Sequence, residues 1–257
     1  MAKPPIREIF YTSQDGLKLF ALEYGERTAK GVPVICLPGL TRNSKDFEPL
    51  ARHLSRRHRV LCPDFRGRGR SKYCENWADY TPVHEMMDTL DLMGAAGLPQ
   101  AVFVGTSRGG IVTMLLAAFR PNVIKAAILN DIGPEVDPKG IERIAGYVGL
   151  MEVPSTWDEA AVKLRMMNER EFPNLSAEQW RTFARRTFTE EAGTPKLDYD
   201  PKIGMAMRKG LEASKGEIAT MWPQFKVLAQ KPVLVVRGEN SDLRPPLSNE
   251  CWRNIPA

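Results

Sequence analysis

At 257 residues, with 43% hydrophobic and 26% charged side chains, the chain can bury one sizeable core and is too evenly mixed to be disordered. Its net charge of +5 is scattered, and the densest basic cluster (Arg66, Arg68, Arg70) lies among glycines without interleaved aromatics, which argues against a nucleic-acid partner. No run approaches the roughly 20 apolar residues that span a bilayer, residues 1–7 lack a signal-peptide core, and the four cysteines show no disulfide or metal spacing, so a cytoplasmic protein with reduced structural thiols is expected.

In chain order, residues 7–12 and 17–24 are strand-like runs around Gln14-Asp15-Gly16, a hairpin signal. Residues 32–37 are nearly all apolar, as in a parallel strand covered on both faces. A helical pattern (47–54), a strand (59–64) and a helix (82–93) follow, the last with Thr81 as N-cap and Gly97 as stop. Strand 101–104, helix 109–119 and strand 124–129 complete the alternation. A hairpin followed by alternating strands and helices predicts an α/β fold with a mostly parallel central sheet flanked by helices. Across 133–231 strand-like runs vanish and helical patterns take over, at 141–148, Trp157–Asn168 and Ala177–Thr187, before a last buried strand at Val233–Val236. The expected division is a core of residues 1–132 and 229–257, with 133–228 an inserted helical lid that includes a sheet-packing helix near 221–228. A separate small helical domain is the rival, though no Pro, Gly or Ser linker marks it off. Met151, Trp157, Met166, Met167 and Trp180 either line an apolar pocket or pack the lid helices together, and packing is the preferred reading.

The sharpest motif is Gly105-Thr106-Ser107-Arg108-Gly109, a G-x-S-x-G between an apolar strand and an apolar helix. Such a turn lifts a serine hydroxyl into a strained, exposed position, and the glycines leave room for the adjacent strand and helix. The helix N-terminus beneath directs free N–H groups toward developing negative charge. Ser107 is therefore the candidate nucleophile.

With that motif in place the chain resembles the α/β-hydrolase fold family, in particular its lid-bearing, esterase-like members. Four segments carry the resemblance, in order: Leu37-Pro38-Gly39-Leu40, Asp64-Phe65-Arg66-Gly67-Arg68-Gly69-Arg70-Ser71, residues 105–109, and Val236-Arg237-Gly238-Glu239-Asn240-Ser241-Asp242. The resemblance implies an oxyanion hole from the backbone N–H groups of Leu40 and Arg108, although Pro38 stands where the family usually has His. It implies a structural role for the 64–71 turn. It also implies the catalytic order Ser, acid, His, with Asp242 as the acid and Asp131, after strand 124–129, as the alternative. Glu239 lies too early in its loop for that role.

The base is the gap. His53, His58 and His84 all precede Ser107 and read as solvated side chains. The reading is that the chain stops before the strand and catalytic His that follow the acid loop, with 247–253 a helix and 254–257 the approach to that strand; a natural pseudoenzyme is the rival explanation.

The expected function is hydrolysis of a carboxylic ester or related small acyl compound through an acyl-serine intermediate, with no metal or organic cofactor. Gly67-Arg68-Gly69 lacks the third glycine of a dinucleotide fingerprint, and neither a P-loop nor H-E-x-x-H occurs. The alternatives are a non-catalytic ligand-binding homologue or inactive fragment and, within enzymes, a C–C bond hydrolase, a lactonase or a cofactor-free perhydrolase.

Overall fold

The computed structural model describes residues 4–241. The helix expected at 247–253 and the residues after it lie outside that range. Strands β1 (Ile6–Thr12) and β2 (Lys18–Tyr24) form the hairpin, paired from Ile6↔Tyr24 to Thr12↔Lys18. Gly16 takes φ 85 at its turn, which a side chain would strain. There follow β3 (Val34–Leu37), α1 (Glu48–Leu54), β4 (Val60–Asp64), α2 (Pro82–Ala96), β5 (Ala101–Thr106), α3 (Arg108–Phe119) and β6 (Ile124–Asn130). α2 begins where Thr81 Oγ1 accepts from the His84 N–H, with Pro82 in the first turn, and ends at left-handed Gly97.

Between β6 and the next strand of the sheet the chain makes α4 (Pro138–Tyr147), α5 (Trp157–Asn168), α6 (Ala177–Thr187), β7 (Phe188–Glu191), β8 (Thr194–Leu197), α7 (Lys202–Ala213) and α8 (Trp222–Leu228), then returns as β9 (Val233–Val236). The expectation that strands are missing from this stretch is wrong: β7 and β8 form an antiparallel hairpin. Its turn residues Ala192 and Gly193 both have positive φ, a primed-turn backbone suited to a two-residue hairpin. The helix α7 at Lys202–Ala213 is a further element that the sequence patterns above do not mark.

The sheet order is β1-β2-β4-β3-β5-β6-β9. β1, β2 and β4 pair antiparallel in turn, and every pairing from β4 through β9 is parallel. β3 and β4 are buried throughout, as their continuous apolar runs require. One face buries Ile35, Leu37, Leu61 and Phe103 against Leu92 of α2, Val112 and Leu116 of α3, and Phe225 and Leu228 of α8. The other buries Cys36, Cys62 and Val104 against Phe47 and Ala51, at and within α1. Each fully buried Leu, Val or Phe contributes about 1.5–3 kcal/mol relative to exposure, so the layered core holds α3 firmly against the sheet.

The path from β3 turns one way to β4, and β5 then lies on the other side of β3. In an open α/β sheet such a reversal leaves a crevice beyond the carboxyl ends of the two strands. Leu40 follows β3 and Ser107 follows β5, so the topology alone brings these two sequence motifs together.

Candidate active site

Ser107 sits between β5 and α3 at φ 49 and ψ −110, one of four non-glycine residues with positive φ among those described. A backbone so held costs about 1–3 kcal/mol and persists because its surroundings fix it. The Ser107 N–H donates to the Asn130 carbonyl at the end of β6 (3.0 Å), and its own carbonyl accepts from the Gly110 N–H (2.9 Å). The flanking glycines are steric requirements. A Cβ on Gly105 would stand 2.5 Å from the Gly109 carbonyl oxygen, and one on Gly109 would stand 2.1 Å from that of Leu37. α3 thus rests directly on β3, and the first-turn N–H groups of the helix point to the space above Ser107 with no acidic side chain in that turn.

Leu40, Ser107 and Arg108 line one cavity of about 400 Å³. Ile111, Ile132 and Val136 also line it, together with Ile141 and Ile144 of α4 and Ile203, Ala206, Met207 and Leu211 of α7. Tyr80, Thr81, Ser214 and Glu217 supply polar groups around it. The α7 contributors recur at helical spacing, a pattern visible in the sequence that only the fold connects with the cavity. Of the five residues expected to line a pocket or pack the insertion, none borders this cavity. Met151, Trp157 and Trp180 join a separate cluster of α5, α6 and β7, and Met166 is 75% exposed.

A buried ionic group lies directly behind the cavity wall. Arg108 donates through Nε to Glu85 Oε2 (2.6 Å) and through Nη2 to the Tyr80 carbonyl (3.3 Å). Glu85 Oε1 also faces Arg68 Nη2 at 2.8 Å, an ion pair lacking hydrogen-bond alignment. Arg68, fully buried, donates from Nε to the Leu40 carbonyl (2.8 Å) and from Nη1 to the Arg66 carbonyl (2.6 Å). Burial opposes the Glu85 charge, yet the Arg108 and Arg68 guanidiniums hold its carboxyl below the ordinary range. Burial lowers the Arg68 guanidinium, against the attraction of Glu85.

Asp131 follows β6 at φ 55. Its N–H donates to the Val236 carbonyl (2.8 Å), while its carboxylate accepts from the Ser241 hydroxyl (2.8 Å) and, at 3.4 Å, from the Gly238 N–H. It therefore ties β6 to the loop after β9. Asp242 lies outside the described residues. No described hydrogen bond joins Ser107 to a histidine. His53 is exposed on α1. His58 Nδ1 lies 2.8 Å from the Val32 carbonyl, at the opposite end of the sheet from Ser107. His84 departs from the solvated placement expected: it is half-buried, its Nδ1 2.8 Å from Thr81 Oγ1.

The sequence profile of the alpha/beta hydrolase fold matches residues 32–256, and the chain belongs to the α/β-hydrolase fold family. A 3-hydroxybutyrate-oligomer hydrolase of Cupriavidus necator is 33% identical over 248 residues, spanning 94% of this chain and 84% of its own. The crystal structure of an α/β hydrolase from Novosphingobium aromaticivorans superposes with a TM-score of 0.88 at 42% identity, covering all of this chain and 88% of that one. A 2-(acetamidomethylene)succinate hydrolase of Mesorhizobium japonicum is 26% identical over 209 residues, 80% of this chain and 69% of its own. These named relatives are hydrolases. Among the described residues no helix is long and apolar enough to cross a membrane.

Proposed function

We propose that the chain is a serine hydrolase that cleaves a carboxylic ester with a compact, uncharged acyl group through an acyl-serine intermediate. One observation carries the reading: Ser107, held at positive φ on a strand-to-helix turn, opens onto a largely apolar cavity of about 400 Å³. Ser107 Oγ attacks the acyl carbon as its proton passes to a general base, which then returns that proton to the leaving alcohol, and the backbone N–H groups of Leu40 and Arg108 hold the tetrahedral oxyanion. The alcohol leaves, and water then releases the acid. A donor of this kind contributes about 3 kcal/mol to the transition state. Asp242 is assigned the role of orienting acid, with Asp131 the alternative because it stands at the carboxyl end of the strand beside Ser107. In the family's chain order the base follows the acid. Residues 133–228 act in this reading as the lid that shields the intermediate from bulk water.

Lining chemistry supports an uncharged acyl group. Arg108 is the cation among the described cavity residues, and Glu85 already occupies it; Glu217 adds negative charge at the rim. A free carboxylate on the acyl part would therefore meet no unpaired cation there. The Cupriavidus relative supports esters of short hydroxy acids as the substrate class. The test uses the full-length protein with p-nitrophenyl esters from acetate to decanoate, a 3-hydroxybutyrate dimer, and a fluorophosphonate label located by mass spectrometry. Labelling at Ser107, lost in Ser107→Ala, with turnover of short esters is the expected result; Asp242→Asn and Asp131→Asn then identify the acid by which of them abolishes it. A folded protein without label at Ser107 would make the chain a binding homologue instead.

A further inference from the structure

We propose that Glu85 is the positioning residue of the oxyanion hole, clamping its two loops from behind through one buried carboxylate. The inference rests on the serine-hydrolase reading above. The two assigned donors come from separate stretches of chain, one after β3 and one after β5, and each stretch is gripped by a guanidinium. Arg68 Nε holds the Leu40 carbonyl at 2.8 Å, and the Arg108 side chain belongs to the residue whose own N–H is the second donor. Both guanidiniums converge on Glu85, at 2.8 and 2.6 Å. Glu85 sits in the first turn of α2, where Thr81 caps the helix and Pro82 fixes its entry, so the carboxylate itself is anchored to a rigid element.

A stabilising role alone explains this arrangement poorly. An Arg–Glu–Arg group taken out of water gains little over apolar side chains of similar volume. Here it carries a net charge of +1, and one Arg68 nitrogen faces Glu85 without hydrogen-bond alignment. What the group does do is fix the spacing of two loops that share no direct backbone ladder at this point. Reacting geometry is sensitive to that spacing, since a misplacement near 1 Å costs about 100-fold in rate.

The sign of one substitution separates positioning from charge. Glu85→Gln removes a negative charge beside a developing oxyanion, which by electrostatics alone would speed the reaction; loss of positioning slows it. The experiment measures kcat and KM of the full-length protein on p-nitrophenyl butyrate, well below the melting temperature of each variant. It also measures affinity for a trifluoromethyl ketone, whose adduct carries the tetrahedral oxyanion. Glu85→Gln and Glu85→Asp, which keeps the charge but shortens the reach, are expected to lower kcat about 10- to 100-fold. KM should stay within about twofold, and ketone affinity should fall by the same factor as kcat. Arg68→Met leaves Glu85 and Arg108 as a neutral pair, so it tests the same clamp without an unpaired buried charge; it should show the same split with a smaller loss. Unchanged or increased kcat in Glu85→Gln, or losses shared equally by KM, would overturn the proposal. If wild-type Ser107 takes no fluorophosphonate, the hydrolase reading falls first; if it is labelled and the variants keep their kcat, only this inference falls.

Discussion

Replacing Gly109 by alanine tests the contact on which the Ser107 turn is built. A Cβ at this position would lie 2.1 Å from the Leu37 carbonyl oxygen and 2.6 Å from its carbon, both main-chain atoms of a fully buried strand. Real Cβ atoms essentially never approach closer than 3.0 Å, so α3 must move off β3 by at least about 0.9 Å, the difference between 3.0 and 2.1. Overpacking of this kind costs about 1–3 kcal/mol. The same displacement moves Ser107 and the Arg108 N–H relative to Leu40, so kcat should fall by about two orders of magnitude. Urea unfolding gives the first quantity and turnover of a short p-nitrophenyl ester gives the second. Gly146→Ala is the control: this glycine is exposed in α4, and nothing lies within 4 Å of the added Cβ. A Gly109→Ala protein as stable and as active as the parent would refute the close packing of helix on strand.

Three further outcomes follow from the same geometry. Gly94→Ala, exposed inside α2 with nothing within 4 Å of the new Cβ, should stabilise the fold by about 0.5–1 kcal/mol in urea unfolding, and a loss would contradict the open environment. Gly204→Ala would place a Cβ 1.9 Å from the Val148 carbonyl oxygen and push α7 outward, so KM for short esters should rise several-fold while Ser107 labelling persists. Burial raises the Asp88 carboxyl to about 6 even against its paired Arg66, so the native state keeps a proton between pH 3.8 and 6 that the unfolded chain has released. Stability from this group is full below pH 3.8 and is lost as pH rises through 6. Relative to Asp88→Asn the parent should therefore weaken in urea unfolding as pH rises from about 4 to about 6.5. A pH-independent difference between the two proteins would rule this out.

Much of the core was legible because its signals are local. Asp15-Gly16 marked the hairpin, the apolar runs at β3 and β5 marked buried strands, and Thr81 with Gly97 bounded α2 to within a turn. The strand-to-helix turn at Ser107 was legible for the same reason, since its glycines and serine are adjacent in sequence. β7 and β8 were not, because Glu190, Glu191 and Lys196 leave no alternating apolar face and Pro195 argues against a strand. The partners of the arginine-rich turn were equally hidden. Arg66 finds Asp88 and Arg68 finds Glu85, each many residues away and on a helix whose polar positions look like an ordinary solvated face. The α7 side of the cavity is equally hidden: the spacing of Ile203, Ala206, Met207 and Leu211 is helical, but only the tertiary fold brings this face to the cavity that Ser107 lines.

The cavity is assembled from two stretches of chain with different obligations. The turn at Ser107 tolerates almost no change, since each flanking glycine abuts main chain. Ile141, Ile144, Ala206, Met207 and Leu211 face the same space from helices that make no such contact with the turn. Diversification by mutation can therefore act on the two independently. If the proposed hydrolase reading holds, a library restricted to those five positions would change what the cavity accepts while the Ser107 turn is inherited intact.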